Sequence, residues 1–141
     1  MPEFHLQTDG ADIVYDVRNQ PVTDGIRPLV MIGQPMDASG FSALAERFPE
    51  RTVVTYDPRG LGRSTRSDGS VENRPEVQAG DVHAVIEALG AGPVDLFASS
   101  GGAVTALALV AAYPEDVVTL VAHEPPAISA LPDAVVCCAG L

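Results

Sequence analysis

One serine in this chain is set up to react. Ala98-Ser99-Ser100-Gly101-Gly102 follows the apolar run Val94-Asp95-Leu96-Phe97 and precedes the helix-forming Ala103–Leu107. A strand that turns sharply into a helix holds the residue at the bend in a strained backbone conformation, so its neighbours must be small. The small-x-Ser-x-Gly spacing makes Ser100 the candidate nucleophile. The helix beginning there points its free N–H groups back at the reacting centre. An ordinary strand-to-helix turn is the alternative reading of the same residues.

Positioning Ser100 is the task of the surrounding elements. Glu3–Thr8 and Ala11–Arg18 alternate around Asp9-Gly10, a hairpin signature. Leu29–Ile32 and Thr52–Tyr56 read as strands buried on both faces. Between them a loop covers Gln34–Gly40, and Ser39 is the expected N-cap of a helix carrying Phe41, Leu44, Ala45 and Phe48. Pro75 opens a second helix whose Val82, Val85, Ile86 and Leu89 share a face, closed by Gly90 and Gly92. Strand Val94–Ala98, helix Gly102–Tyr113 stopped by Pro114, and strand Val117–Ala122 follow, and Leu131-Pro132-Asp133 could start another helix. A hairpin followed by alternating strands and helices implies a single α/β domain over 1–141, a three-layer sandwich around a mostly parallel sheet. Ligand chemistry in such sheets sits at the carboxyl ends of the strands, where Gly33-Gln34, Ser100-Gly101 and His123-Glu124 all fall.

Composition removes several classes of function. The chain has 141 residues, 46% hydrophobic and 19% charged, enough for one domain with a core. Its net charge is −11, with eight arginines between Arg18 and Arg74 and no lysine. That surface argues against nucleic acid and against anionic membrane as partners. Polar alternation after Met1-Pro2-Glu3 is not a signal peptide, and Ala103–Tyr113 is too short to span a bilayer, so a cytoplasmic protein is expected. Cys137 and Cys138 are adjacent and read as reduced thiols without zinc spacing. Gly60-Leu61-Gly62-Arg63-Ser64 lacks the lysine of a phosphate loop, and no dinucleotide fingerprint or metal cluster is present. No cofactor and no metal are expected; the expected partner is a small-molecule substrate.

Four blocks, in order, resemble the α/β-hydrolase superfamily. Met31-Ile32-Gly33-Gln34-Pro35 resembles its His-Gly-x-Pro turn, with Ile32 in place of the histidine. Asp37–Phe48 resembles the helix that follows. Tyr56-Asp57-Pro58-Arg59-Gly60-Leu61-Gly62-Arg63-Ser64 resembles the Asp-x-Arg-Gly-x-Gly-x-Ser loop. Ala98-Ser99-Ser100-Gly101-Gly102 resembles the nucleophile elbow, with Ala98 for its first glycine. The resemblance covers residues 3 to about 133 and implies a hydrolase-fold domain ending after its sixth strand. It implies that Ser100 is the nucleophile, that the backbone N–H groups of Gln34 and Gly101 form an oxyanion hole, and that Asp57 and Arg59 brace their loop. A serine at the elbow argues against the haloalkane and epoxide branches, which use aspartate.

The resemblance also calls for an acid and a histidine base. Glu124 stands after the sixth strand, where some relatives carry the acid; a plain loop carboxylate is the equal alternative. The superfamily's histidine follows its last strand, and this sequence has no counterpart of that segment. His5 is on the hairpin, His83 flanks the apolar stripe of the helix 75–89, and His123 directly precedes Glu124. None is a convincing base. Three readings therefore stand. The first is an esterase-, lipase- or peptidase-like serine hydrolase of a small ester, amide or lactone, completed by residues not present here. The second is a truncated or degenerate, non-catalytic binding module. The third is a half-size fold that forms a homodimer through the exposed edge strand 117–122.

Overall fold

The structure, a computed structural model, describes residues 3–8, 10–19, 26–34, 37–66 and 74–124. The expectations for Asp9, for the segment 67–73, for the tail 127–141 and for both cysteines lie outside these residues. The elements are β1 (Glu3–Thr8), β2 (Ala11–Arg18), β3 (Leu29–Gln34), α1 (Ser42–Ala45), β4 (Val53–Tyr56), β5 (Thr65–Arg66), α2 (Pro75–Leu89), β6 (Val94–Ser100), α3 (Gly101–Ala112) and β7 (Val117–His123).

These strands form one mixed sheet in the order β1-β2-β4-β3-β6-β7, with β5 pairing β2 at its side. The hairpin forms as expected, with Thr8 opposite Ala11, and β2 runs antiparallel to β4. From β4 onward the pairing is parallel: β4 with β3, β3 with β6, and β6 with β7. Parallel neighbours require crossovers, and the helices supply them on both faces. Alternation along the strands divides the core accordingly. Val30, Ile32, Leu96 and Ala98 point to the face covered by Val82, Val85 and Ile86 of α2 and by Ala103, Ala106 and Leu109 of α3. Leu29, Met31 and Val53 point to the other face, where Phe41 and Ala45 cover them. The result is three layers, as the order of apolar segments implies.

Several boundaries differ from those read in the sequence. The expected helix after β3 is a 3-10 turn over Ala38–Phe41 joined to a single α-turn, Ser42–Ala45. Its N-cap is Asp37, whose carboxylate accepts the Ser39 N–H, and not Ser39. Aspartate and serine cap equally well, and the tie goes to the residue whose side chain lies one turn back from the free amide. Gln34, read as loop, is the last residue of β3. Arg66, where no strand is expected, pairs with Ala11 in the short β5. Helix α2 begins at Pro75 and ends at Gly90, whose φ of 65° supplies the left-handed cap.

Helix α3 meets β3 in close backbone contact. A Cβ at Gly102 would stand 2.6 Å from the Gly33 Cα, 2.6 Å from the Ile32 carbonyl oxygen and 2.7 Å from the Gly33 nitrogen. All three are backbone atoms, so no side chain can yield. Gly102→Ala is therefore expected to cost at least about 2 kcal/mol, as overpacking of a rigid contact does. Guanidinium denaturation of the two proteins measures it; a midpoint equal to wild type would show that α3 is free to move off β3.

Candidate active site

Ser100 stands at the junction of β6 and α3. Its φ and ψ are 56° and −125°, a conformation that costs a non-glycine residue about 1–3 kcal/mol and persists only where both flanks are fixed. The parallel ladder with β3 and β7 fixes one flank, and helix α3 fixes the other. Ser100 occupies the N-cap position of α3, yet its side chain makes no capping bond. The residue is exposed, and its hydroxyl has no hydrogen-bond partner among the described residues. Gly101 and Gly102 follow as the first residues of the helix, with their backbone N–H groups at its positive end.

The register brings two other expected residues to the same edge. Gln34 pairs directly with Ser100 across the β3–β6 ladder. On the other side, Ser99 pairs with His123, so Glu124 is the next residue beyond that level on β7. Glu124 is exposed and has a φ of 48°. Gln34, Ser100 and Glu124 thus leave three adjacent strands at one end of the sheet.

The histidines are engaged elsewhere. His5, on the outermost strand β1, lies 3.3 Å from both Asp12 and Glu3, and these carboxylates raise its pKa above the ordinary imidazole value. His83 sits between Glu87 and Asp116 and stacks on Tyr113 with ring centroids 3.7 Å apart. His123 Nδ1 shares a 3.2 Å hydrogen bond with Ser99 Oγ. None of the three hydrogen-bonds Ser100. Among the described residues there is no cluster of ligands for a metal ion, and no helix is long and apolar enough to cross a membrane.

Beneath the site, Asp57 organises the loop after β4. It is buried and accepts the N–H of Ala38 at 2.8 Å, the N–H of Arg63 at 2.7 Å and the Arg63 Nε–H at 2.8 Å. Arg63 also donates to Asp16 at 2.7 and 3.0 Å and to Glu3 at 2.7 Å, binding the hairpin to this loop. Gly62, with φ 49°, brings the loop against the carboxylate; a Cβ there would lie 2.6 Å from Asp57 Oδ2. Ser64 completes the turn by donating to the Asp57 carbonyl at 2.6 Å and accepting the Val14 N–H at 2.8 Å. Arg59 is nearly inaccessible and forms a double hydrogen bond with Asp81 of α2, both contacts at 2.7 Å. Bracing by Asp57 and Arg59 is what the resemblance implied. The partners Arg63, Asp16 and Asp81 were not singled out, although a lone aspartate between Ala79 and Val82 on an apolar helix face was a usable signal. Burial pushes the Asp57 carboxyl up, but Arg63 and the two amides outweigh it and hold it below the ordinary value.

Comparison with known proteins agrees with this geometry. A family model described as the alpha/beta hydrolase fold matches residues 34–136. An uncharacterized hydrolase of Bacillus subtilis (strain 168), YraK, is 36% identical over 123 residues, covering 85% of this chain and 43% of that protein. A protein assigned as an epoxide hydrolase from Pseudomonas aeruginosa superposes with a TM-score of 0.73 at 23% identity, covering 84% of this chain and 39% of its own. An alpha/beta hydrolase from Sphaerobacter thermophilus superposes with a TM-score of 0.69 at 28% identity, covering 83% and 43%. The chain spans less than half the length of each of these relatives.

The Asp57 cluster makes a pH-dependent contribution to stability. Its lowered pKa means that the contribution is complete above the ordinary carboxylate value of 3.8 and is lost as pH falls through the depressed value. Asp57→Asn removes one of the two buried carboxylates that Arg63 pairs with, leaving Asp16, and is expected to cost about 2 kcal/mol at neutral pH. Denaturant titrations between neutral pH and strong acid should show wild type converging on the variant below that value. Parallel curves over the whole range would contradict the assignment.

Proposed function

The chain belongs to the α/β-hydrolase fold family, and on that footing we propose that it carries the nucleophile half of a serine hydrolase active site. The substrate class is a small ester, amide or lactone, and the intermediate is an acyl-enzyme. The observation that carries this reading is the bend at Ser100: an exposed hydroxyl without a partner among the described residues, held at φ 56° on the carboxyl end of β6. Ser100 Oγ attacks the substrate carbonyl while its proton passes to a base. The oxyanion of the tetrahedral intermediate is stabilised by the N–H groups of Gly101 and Gln34, which cost little to orient because strand and helix already fix them. Collapse breaks the bond to the leaving group, which departs with the proton, and water then releases the acid from Ser100 by the same path in reverse.

In this reading the base is a histidine that His5, His83 and His123 do not provide. It comes from further residues of a longer polypeptide or from a second chain, and Glu124 orients it. Likeness in fold to a protein assigned as an epoxide hydrolase does not extend to its chemistry, since a serine at the bend suits acyl transfer whereas epoxide opening in this fold uses an aspartate.

A second reading, a dimerising module, draws on β7. Among the described residues this strand has β6 as its strand partner, and Val118 and Val121 are 54% and 39% exposed. Val121 also borders an apolar cavity of about 330 Å³ formed with Met31, Leu44, Phe48, Phe97 and Thr119. A second copy pairing along β7 would cover these side chains and satisfy the strand's outer backbone groups.

Two measurements check these readings. Incubation with an alkyl fluorophosphonate followed by peptide mapping should place the label on Ser100, and Ser100→Ala should take none; folded wild-type protein that stays unlabelled would count against the serine hydrolase. Sedimentation velocity should give a dimer for wild type and a monomer for the double variant Val118→Lys, Val121→Lys. A wild-type monomer at high concentration would remove the second reading.

A further inference from the structure

Two non-glycine residues at the carboxyl edge of the sheet have positive φ, Ser100 at 56° and Glu124 at 48°. The residues directly before them, Ser99 and His123, are partners in the β6–β7 ladder and share the 3.2 Å hydrogen bond between Oγ and Nδ1. The imidazole is further held by Phe97, on the same face of β6, with ring centroids 6.3 Å apart and planes 23° from parallel. Phe97 in turn meets the buried Phe41 edge-on at 6.4 Å, in the turn that begins four residues after Gln34. His123 therefore joins the two strand ends at the last residue before each bend, and Phe97 links its ring to the segment that follows β3.

We infer that His123 is a positioning residue, and that its clasp on Ser99 holds the candidate nucleophile Ser100 and the candidate acid Glu124 at a fixed separation. This rests on the serine hydrolase reading for its catalytic meaning, but the clasp itself does not. A strained bend relaxes when either flank loosens. β7 is an outer strand in the described sheet, and its end is where the ladder frays first. A side-chain bond across the last rung opposes that fraying at the level where geometry matters. Imidazole can donate from Nδ1 or accept there from the serine hydroxyl, so the bond survives a change of tautomer.

Three substitutions separate the parts. His123→Ala removes both contacts, His123→Phe keeps the stacking on Phe97, and His123→Asn keeps a polar group near the position of Nδ1. Amide hydrogen exchange of the peptide spanning 97–103 reads the bend without requiring any activity. Exchange should quicken about fivefold in His123→Ala and His123→Phe, the effect of one hydrogen bond, and return toward wild type in His123→Asn. Exchange in α2 should not change. Ser99→Ala should match His123→Ala, and the double variant should add nothing. In parallel, fluorophosphonate labelling of Ser100 should slow in its covalent step and not in the affinity for the probe. Wild-type exchange in His123→Ala would overturn the inference, as would rescue by Phe and not by Asn. Uniform quickening throughout the chain would overturn it too, since it would mean a general loss of stability. If wild type takes no label, the hydrolase reading falls and exchange alone decides the clasp.

Discussion

The missing side chain at Gly102 lets α3 lie directly on the backbone of β3, closer than any Cβ would allow. Much at the candidate site depends on this contact. It lets the helix begin at once after β6, with no intervening loop. It sets the first helical amides beside the end of β3. It also traps Ser100 between a ladder and a helix, neither of which can shift to relieve its backbone. The strain at Ser100 is thus a product of packing two residues further along and not of the serine itself.

A second layer of support comes from charge. Asp57 is shared between the start of the turn after β3 and the loop after β4, while Arg63 reaches from that carboxylate to Asp16 and Glu3 on the hairpin. Such an arrangement needs a planar, multi-donor cation, and a lysine could not satisfy three carboxylates in these directions. The Arg59–Asp81 pair does the same between the loop and α2, with Thr8 of β1 donating to Asp81 as well. These ties fix how the loops leave the sheet, which the apolar core alone leaves open.

The fold was largely legible because its signals are local. The alternation of 3–8 and 11–18, the apolar runs at 29–32, 53–56, 94–98 and 117–122, and the stripe of α2 each specify an element by periodicity. The helix after β3 is shorter than the spacing of Phe41, Leu44, Ala45 and Phe48 predicts, since its helical turns end at Ala45 and leave Leu44 37% exposed. Pairing partners were less accessible. Ser99–His123 and Asp57–Ala38 join residues 24 and 19 positions apart, and no spacing rule links them. Gln78 was legible in neither sense. It is buried on α2, four residues before Val82 on the apolar face, with no hydrogen-bond partner for either amide atom among the described residues.

The path of the chain through the sheet has a consequence of its own. From β3 the chain steps outward to β4, then jumps back over β3 to β6 and continues outward on the other side to β7. The direction of each step fixes the face on which its helix lies, so α1 falls on one face and α2 and α3 on the other. The segments leaving β3 and β6 must then part company, one bending up and the other down. In sheets of this kind the opening for a ligand falls where this reversal occurs, and here Gln34 and Ser100 are paired at the ends of the two strands concerned. The location of the opening is inherited from strand order. Replacing the serine would leave that strand order, and with it the divergence of the two chain segments, unchanged.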